Sequence, residues 1–207
     1  NLRAKNIKNC VGCFTCMTKT PGKCVLKDDM TRDLFPRWLE SDLVIYATPL
    51  FHHTVNATMK TFIERTWPIC EPFLVEKEGR WFHPLRRNHP GVVVLSVCGF
   101  PAMSAFGGLT HYVKFLYKAH GKGALWAEIY RPGAEFMARQ NDKQKDILDA
   151  TIQAGRELVV DHRVSAETLA RIEQPLTNNV SDFAKIANCM WKTCISEGVT
   201  LKKFAAE

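Results

Sequence analysis

No stretch of this 207-residue chain approaches the roughly 20 consecutive apolar residues that a transmembrane helix needs. The opening residues, Asn1-Leu2-Arg3-Ala4-Lys5, lack the apolar centre of a signal peptide. Both absences predict a soluble, cytoplasmic protein. There is no internal repeat and no low-complexity linker, so residues 1–207 read as a single domain, and a 46% hydrophobic composition can bury a core without disulfides. Acidic residues are the scarcer charge, 21 against 28 basic, for a net +7. Basic pairs such as Arg86-Arg87 and Lys202-Lys203 come without interleaved aromatics or a nucleic-acid motif, which excludes nucleic acid as the expected partner. The surplus reads as solvated faces that steer anionic partners.

Cysteine, in contrast, is plentiful and uneven. Four of the eight lie in Cys10-Val11-Gly12-Cys13-Phe14-Thr15-Cys16 and Cys24, a C-x2-C-x2-C-x7-C run. Two-residue gaps let three sulfurs converge from a tight turn, and a fourth after the Pro21-Gly22 turn closes the shell. An iron–sulfur cluster and structural zinc both ask for that arrangement. Cys70, Cys98, Cys189 and Cys194 are scattered through apolar or helical sequence and are expected as buried core thiols.

The rest of the chain alternates strand and helix signals. Residues 30–39 read as a short amphipathic helix, with Pro36 placing its true first turn near residue 35. Residues 42–47 form a continuous apolar run, the profile of a strand buried on both faces of a parallel sheet, followed by a helix over 56–67. The pattern repeats with a strand over 91–97 and a helix over 104–120. A third strand over 124–130 leads to a long helix over 142–161, and shorter helices over 166–172 and 181–196 close the C-terminal region, 165–207. Between the first two units, Phe73-Leu74-Val75 and Trp81-Phe82-His83 flank a turn at Gly79, a hairpin inserted at 70–90 whose exposed aromatics suit subunit contact in a homo-oligomer. The alternation predicts an α/β fold with a parallel sheet flanked by helices.

In such sheets ligands gather at the carboxyl ends of the strands. Thr48-Pro49-Leu50-Phe51 offers backbone amides, a rigid proline and an aromatic; Cys98-Gly99-Phe100 offers a glycine that lets backbone approach a flat ring. The adjacent His52 and His53 diverge too far to chelate, so one of them is expected as a hydrogen-bond partner to a bound ligand.

Taken together, Asn9-Cys10-Val11-Gly12-Cys13, Gly22-Lys23-Cys24, Thr48-Pro49-Leu50-Phe51, Met59-Lys60-Thr61-Phe62-Ile63-Glu64-Arg65, Cys98-Gly99-Phe100-Pro101 and Tyr130-Arg131-Pro132-Gly133 resemble the iron–sulfur flavoproteins and NADPH-dependent FMN reductases of the flavodoxin-like superfamily. The resemblance implies a flavodoxin-like sheet with FMN at its carboxyl edge and a 4Fe-4S cluster on Cys10, Cys13, Cys16 and Cys24. It also implies a flavin platform of Thr48, Pro49, Leu50, Phe51, His52, Cys98, Gly99 and Phe100. Electrons would pass between NAD(P)H, or a ferredoxin-like donor, and an acceptor, with no general acid or base among the protein's residues and neither nucleic acid nor membrane as partner. Two other readings stand beside it: an FMN reductase-like protein without a cluster, and a non-catalytic zinc-binding interaction module. Members of the family begin with a β-α-β segment carrying a phosphate loop. The resemblance would put that segment ahead of Asn1, so the expectation is a piece of a longer polypeptide, a chain that has lost flavin binding, or a site completed by another subunit; if residues 1–207 are stable by themselves, the flank of the first strand is expected to be covered by the C-terminal helices or a partner chain.

Overall fold

The computed structural model describes residues 1–118, 124–139, 141–176 and 179–201. Its centre is a parallel sheet of three strands, β1 (Leu43–Pro49), β4 (Gly91–Val97) and β5 (Leu125–Arg131), in the order β1-β4-β5. Two short strands, β2 (Val75–Lys77) and β3 (Arg80–Phe82), make a separate antiparallel hairpin. Six α-helices are described: α1 (Phe35–Glu40), α2 (Ala57–Glu64), α3 (Gly107–Lys118), α4 (Asn141–Asp161), α5 (Ala166–Glu173) and α6 (Val180–Glu197). This is the expected α/β architecture, and its strand order follows one side of a flavodoxin-like sheet. Among the described residues no helix is long and apolar enough to cross a membrane.

Strand β4 is central because its sequence tolerates burial on both sides. Val92, Val93 and Val94 are essentially inaccessible. A Cβ on Gly91, at its start, would run into the Trp126 ring, so glycine is what lets β5 pack there. On one face Val92, Val94, Tyr46 and Tyr130 pack with Trp38, with Met59 and Phe62 of α2, and with Leu109 and Val113 of α3. On the other, Val93, Ala127 and Ile129 meet Ala150, Ala154 and Leu158 of α4 and Ile172 of α5. The second layer is pinned by buried Arg131, which donates to the carbonyls of Ile172 (2.6 Å) and Gln174 (2.8 Å) at the end of α5.

Strand β1 departs from the expectation of burial on both faces. Tyr46 and Thr48 are buried, but Ile45, just before them, is 52% exposed and Ala47, between them, is exposed as well. The reason is lateral: α4 and α5 cover β4 and β5, and β1 lies at the sheet edge beyond them. Among the described residues, none from the C-terminal helices lines the groove at that edge. A short 3-10 turn, Leu2–Ala4, lies beside it, and Asn1, Leu2 and Arg3 line a groove with Val44, Ile45, Tyr46 and Ala47.

Several boundaries show local chemistry winning over periodicity. Residues 30–39 divide into a π-helical turn, Met30–Leu34, and α1, with the Phe35 amide reaching back to the Met30 carbonyl. Pro36 sits in the first turn of α1, where its missing N–H costs nothing. Helix α2 starts on Asn56, whose side chain accepts the Met59 amide at 2.9 Å, and stops at Glu64 before a 3-10 turn that contains Pro68. In the hairpin both Glu78 and Gly79 have positive φ, the requirement of a tight two-residue turn, so Glu76, Lys77 and Arg80 belong to the strands and not to the loop. Residues 119 and 120 of the third expected helix, and 177, 178 and 202–207 of the C-terminal region, with Lys202 and Lys203, lie outside the described residues.

Candidate functional site

The cysteine run forms an irregular loop ahead of the π-helical turn. Gly12 (φ +64°), Phe14 (φ +52°) and Gly22 (φ +80°) supply its left-handed corners. Amide bonds from Met17 to Phe14 O (2.9 Å), Thr20 to Thr15 O (2.9 Å) and Gly22 to Cys16 O (3.0 Å) fold it back on itself. Met17, 5% exposed, anchors it to the core. All four sulfur-bearing residues, Cys10, Cys13, Cys16 and Cys24, line one small cavity of about 60 Å³, closed on one side by Trp67. Among the described residues no three His, Cys, Asp or Glu side chains stand close enough together to hold a single metal ion. The thiols are set around a space and do not converge on a point.

Their environments differ. Hydrogen bonds from the Thr15 side chain and amide lower the Cys13 pKa. Burial raises that of Cys16, and the neighbouring sulfurs Cys24, Cys10 and Cys13 raise it further. Cys70 lies near enough to Cys16 to feel its charge, but burial dominates and pushes its thiol up to about 11.

Both ends of the loop are clamped by one buried ion pair. Arg65, the residue after α2, donates to both Asp28 oxygens (2.5 and 3.1 Å), to the Lys8 carbonyl (2.6 Å) and to the Thr31 hydroxyl (2.9 Å). Asp28 also accepts the amides of Lys8 (2.9 Å) and Thr31 (3.0 Å). The side chains of the pair are 1% and 0% exposed. Thr61, one turn earlier on α2, donates to Asn9 at 3.1 Å, so a single helix face holds the segment entering the cysteine loop.

Within this clamp the Arg65 Nε is buried and, among the described residues, has no hydrogen-bond partner. Burial pulls the Arg65 pKa down, but Asp28 and the adjacent Cys24 sulfur more than offset this and raise it. A buried donor beside a thiol is costly unless it has an anionic acceptor, and a deprotonated cysteine is one. The donor set and the orphaned guanidinium nitrogen therefore fit a group that binds Cys24 as thiolate.

Asp28 also sets an acid limit. Burial pushes its pKa up, yet the Arg65 hydrogen bonds, the Lys8 and Thr31 amides and the guanidinium charge hold it at about 2, below the usual 3.8. Because the folded value is depressed, the stabilisation is complete above about pH 4 and is lost as pH falls toward 2. The shift corresponds to about 2 kcal/mol. Urea titrations between pH 2 and 6 should show this slope, and Asp28→Asn should flatten it.

The loops expected to hold a flavin lie side by side at the carboxyl ends of β1 and β4. Thr48 is buried, its hydroxyl donating to Pro49 O (3.0 Å) and accepting the Asn56 amide (3.3 Å). The Leu50 amide donates to Val97 O at 3.0 Å, tying one loop to the other strand. Phe51 pairs with Thr54 through two 3.0 Å backbone bonds, which forces His52 and His53 into left-handed geometry and leaves the Phe51 ring half exposed. His53 lies parallel to the exposed Phe100 ring at 6.0 Å, and its Nδ1 is 3.0 Å from Ala105 O, so this ring is occupied with protein while His52 points to solvent. Cys98 is buried, with its thiol donating to Phe100 O at 3.6 Å. Gly99 lies so close to the Glu135 carboxylate that a Cβ would press on it at 3.0 Å. The structure thus brings the two loops together and presents two exposed rings, Phe51 and Phe100. It keeps Thr48 and Cys98 inside.

Of the four cysteines expected in the core, Cys70, Cys98 and Cys194 are buried, but Cys189 is exposed. It lies on the side of α6 away from Phe183 and Cys194, the face that packs inward. Sequence reasoning missed Arg65 and Asp28 as a unit, and Trp67 as the wall of the cysteine cavity. Asp28-Asp29 reads as a helix start and Arg65 as an ordinary polar helix end; no local spacing signals their pairing over 37 residues.

The chain is 46% identical over 69 residues to an iron-sulfur flavoprotein of Archaeoglobus fulgidus, covering 33% of this chain and 30% of that one. It is 30% identical over 69 residues to an iron-sulfur flavoprotein of Methanocaldococcus jannaschii, covering 33% and 34%. The match thus spans about a third of the length of each relative. Among solved structures, an azoreductase from Bacillus anthracis superposes with a TM-score of 0.46 at 14% identity, over 90% of this chain and 78% of that one. The model of the family described as NADPH-dependent FMN reductase matches residues 1–102, from the cysteine loop through the loops after β1 and β4, so it is to this family that the N-terminal part of the chain is similar.

Proposed function

We propose that this chain works in an FMN- and iron–sulfur-dependent oxidoreductase or electron carrier, moving electrons between NAD(P)H or a ferredoxin-like donor and an acceptor. The observation that carries the reading is the cysteine loop: four thiols around one cavity, clamped by a buried Arg65–Asp28 pair whose guanidinium lies near enough to Cys24 to feel its charge. The names of the two relatives point the same way. When bound, a flavin takes electrons in pairs or singly and an iron–sulfur cluster takes them singly, so together they connect two-electron and one-electron partners.

Cys10, Cys13, Cys16 and Cys24 are the residues to hold a 4Fe-4S cluster. Arg65 offsets the negative charge that their thiolates bring to the loop, and Trp67 shields one side of the cavity from water. Phe51 and Phe100 supply flat apolar surface for an isoalloxazine ring, with the amides of the two loops at its edge. No side chain is needed as general acid or base, because electron transfer requires none. A reducing cytoplasm suits a chain whose eight cysteines are all free thiols.

The flavin part is tested at Phe51, which is 53% exposed. Replacing it with alanine should weaken FMN binding by about tenfold, the scale of one lost aromatic stacking surface, without lowering the melting temperature. Fluorescence titration with FMN reads the affinity; unchanged binding would remove this loop as the ring platform.

A further inference from the structure

A second cavity, unrelated to the flavin loops, opens between the hairpin and helices α2 and α3. Its volume is about 430 Å³, within the range of small-molecule sites. Three separate elements supply its rings: Trp67 follows α2, Trp81 and Phe82 belong to β3, and Tyr112 and Phe115 come from α3. Walls of this kind recognise flat π-systems through offset and edge-on stacking.

The charges at the cavity are settled in one direction. Lys60 and Glu64 form an ion pair at 2.5 Å and cancel each other. Arg80 is left as the net charge. Its guanidinium stands 4.2 Å above the Phe115 ring, and its Nη2 donates to the Phe115 carbonyl at 3.1 Å. These contacts fix the hairpin against α3, and among the described residues they leave its Nε and Nη1 for an acceptor on a bound molecule. A guanidinium held beside an aromatic wall is suited to a carboxylate or similar anion carried on a ring.

We propose that this cavity binds a planar aromatic acid, with the ring system between Trp67 and Trp81 and the anionic group on Arg80. Trp67 also walls the cysteine cavity, so a molecule bound here sits one tryptophan away from the cysteine loop. The site depends on the hairpin and the two helices alone, and stands whether or not the cysteines hold a cluster.

The test uses the intact 207-residue chain with 2-naphthoate as probe and uncharged 2-naphthalenemethanol as control. Calorimetry measures affinity, and the ¹⁵N-labelled indole signals of the five tryptophans report location. Expected are saturable one-to-one binding of 2-naphthoate and shifts at Trp67 and Trp81, with Trp38, Trp126 and Trp191 unmoved. Arg80→Ala should weaken 2-naphthoate by about tenfold or more while changing 2-naphthalenemethanol by less than about twofold, and Arg80→Lys should retain part of the preference. Non-saturable binding, shifts centred on Trp191, or equal losses for both compounds would overturn the proposal. So would Trp67 and Trp81 signals that change on dilution without ligand while 2-naphthoate fails to bind, since a second copy of the chain would then fill the cavity. If Arg80→Ala does not fold, the indole map of the wild-type chain decides.

Discussion

Arg65→Met is expected to lower stability by about 3–5 kcal/mol, a large share of what a domain of this size has to lose. The substitution leaves Asp28 as an unpaired carboxylate with 0% side-chain exposure and strips donors from the Lys8 carbonyl and the Thr31 hydroxyl. The loss comes from the orphaned groups and not from the pair's own strength, because taking two charges out of water offsets most of their attraction. Pairing Arg65→Met with Asp28→Leu should therefore recover a good part of it. Urea unfolding of both single variants and the double variant gives the cycle. A single-variant loss under about 1 kcal/mol would show that the clamp does not hold the loop.

The second large effect lies in the loop itself. Cys13→Ser should abolish the cluster absorption of anaerobically prepared protein, and Cys10, Cys16 and Cys24 should behave alike. A serine hydroxyl does not deprotonate near neutral pH and is a poor ligand for iron. Cys189→Ser is the matched control: an exposed thiol on the outer side of α6, remote from the loop in sequence, whose loss should leave the spectrum unchanged. Visible absorption together with iron and acid-labile sulfide content reads both. Equal losses in Cys13→Ser and Cys189→Ser would mean that the wrong sulfurs have been assigned.

Much of this was legible from the residues alone, and the failures share one cause. The β4 strand coincides with its apolar run, Gly91–Val97, because a strand buried on both faces writes its limits into composition. The same rule overreached at β1. Apolar side chains there alternate between core and solvent because the layer of α4 and α5 stops short, and where a neighbouring layer ends is not a property of the strand's own sequence. The hairpin was legible from Gly79, but not that Glu78 would take positive φ to shorten the turn. At the site, the cysteine spacing announced itself locally. The Arg65–Asp28 clamp could not, since it exists only once residues 8, 28 and 65 meet, and a single arginine past a helix end ordinarily faces water. Cys189 was misplaced because spacing groups residues onto helix faces without saying which face docks.

The central claim is that Cys10, Cys13, Cys16 and Cys24 hold an iron–sulfur cluster, and the most direct measurement is the metal and sulfide content of the protein isolated without oxygen. The account predicts a brown protein with broad absorption near roughly 400 nm, and about four iron and four acid-labile sulfide per chain. A colourless protein carrying one zinc per chain would contradict it.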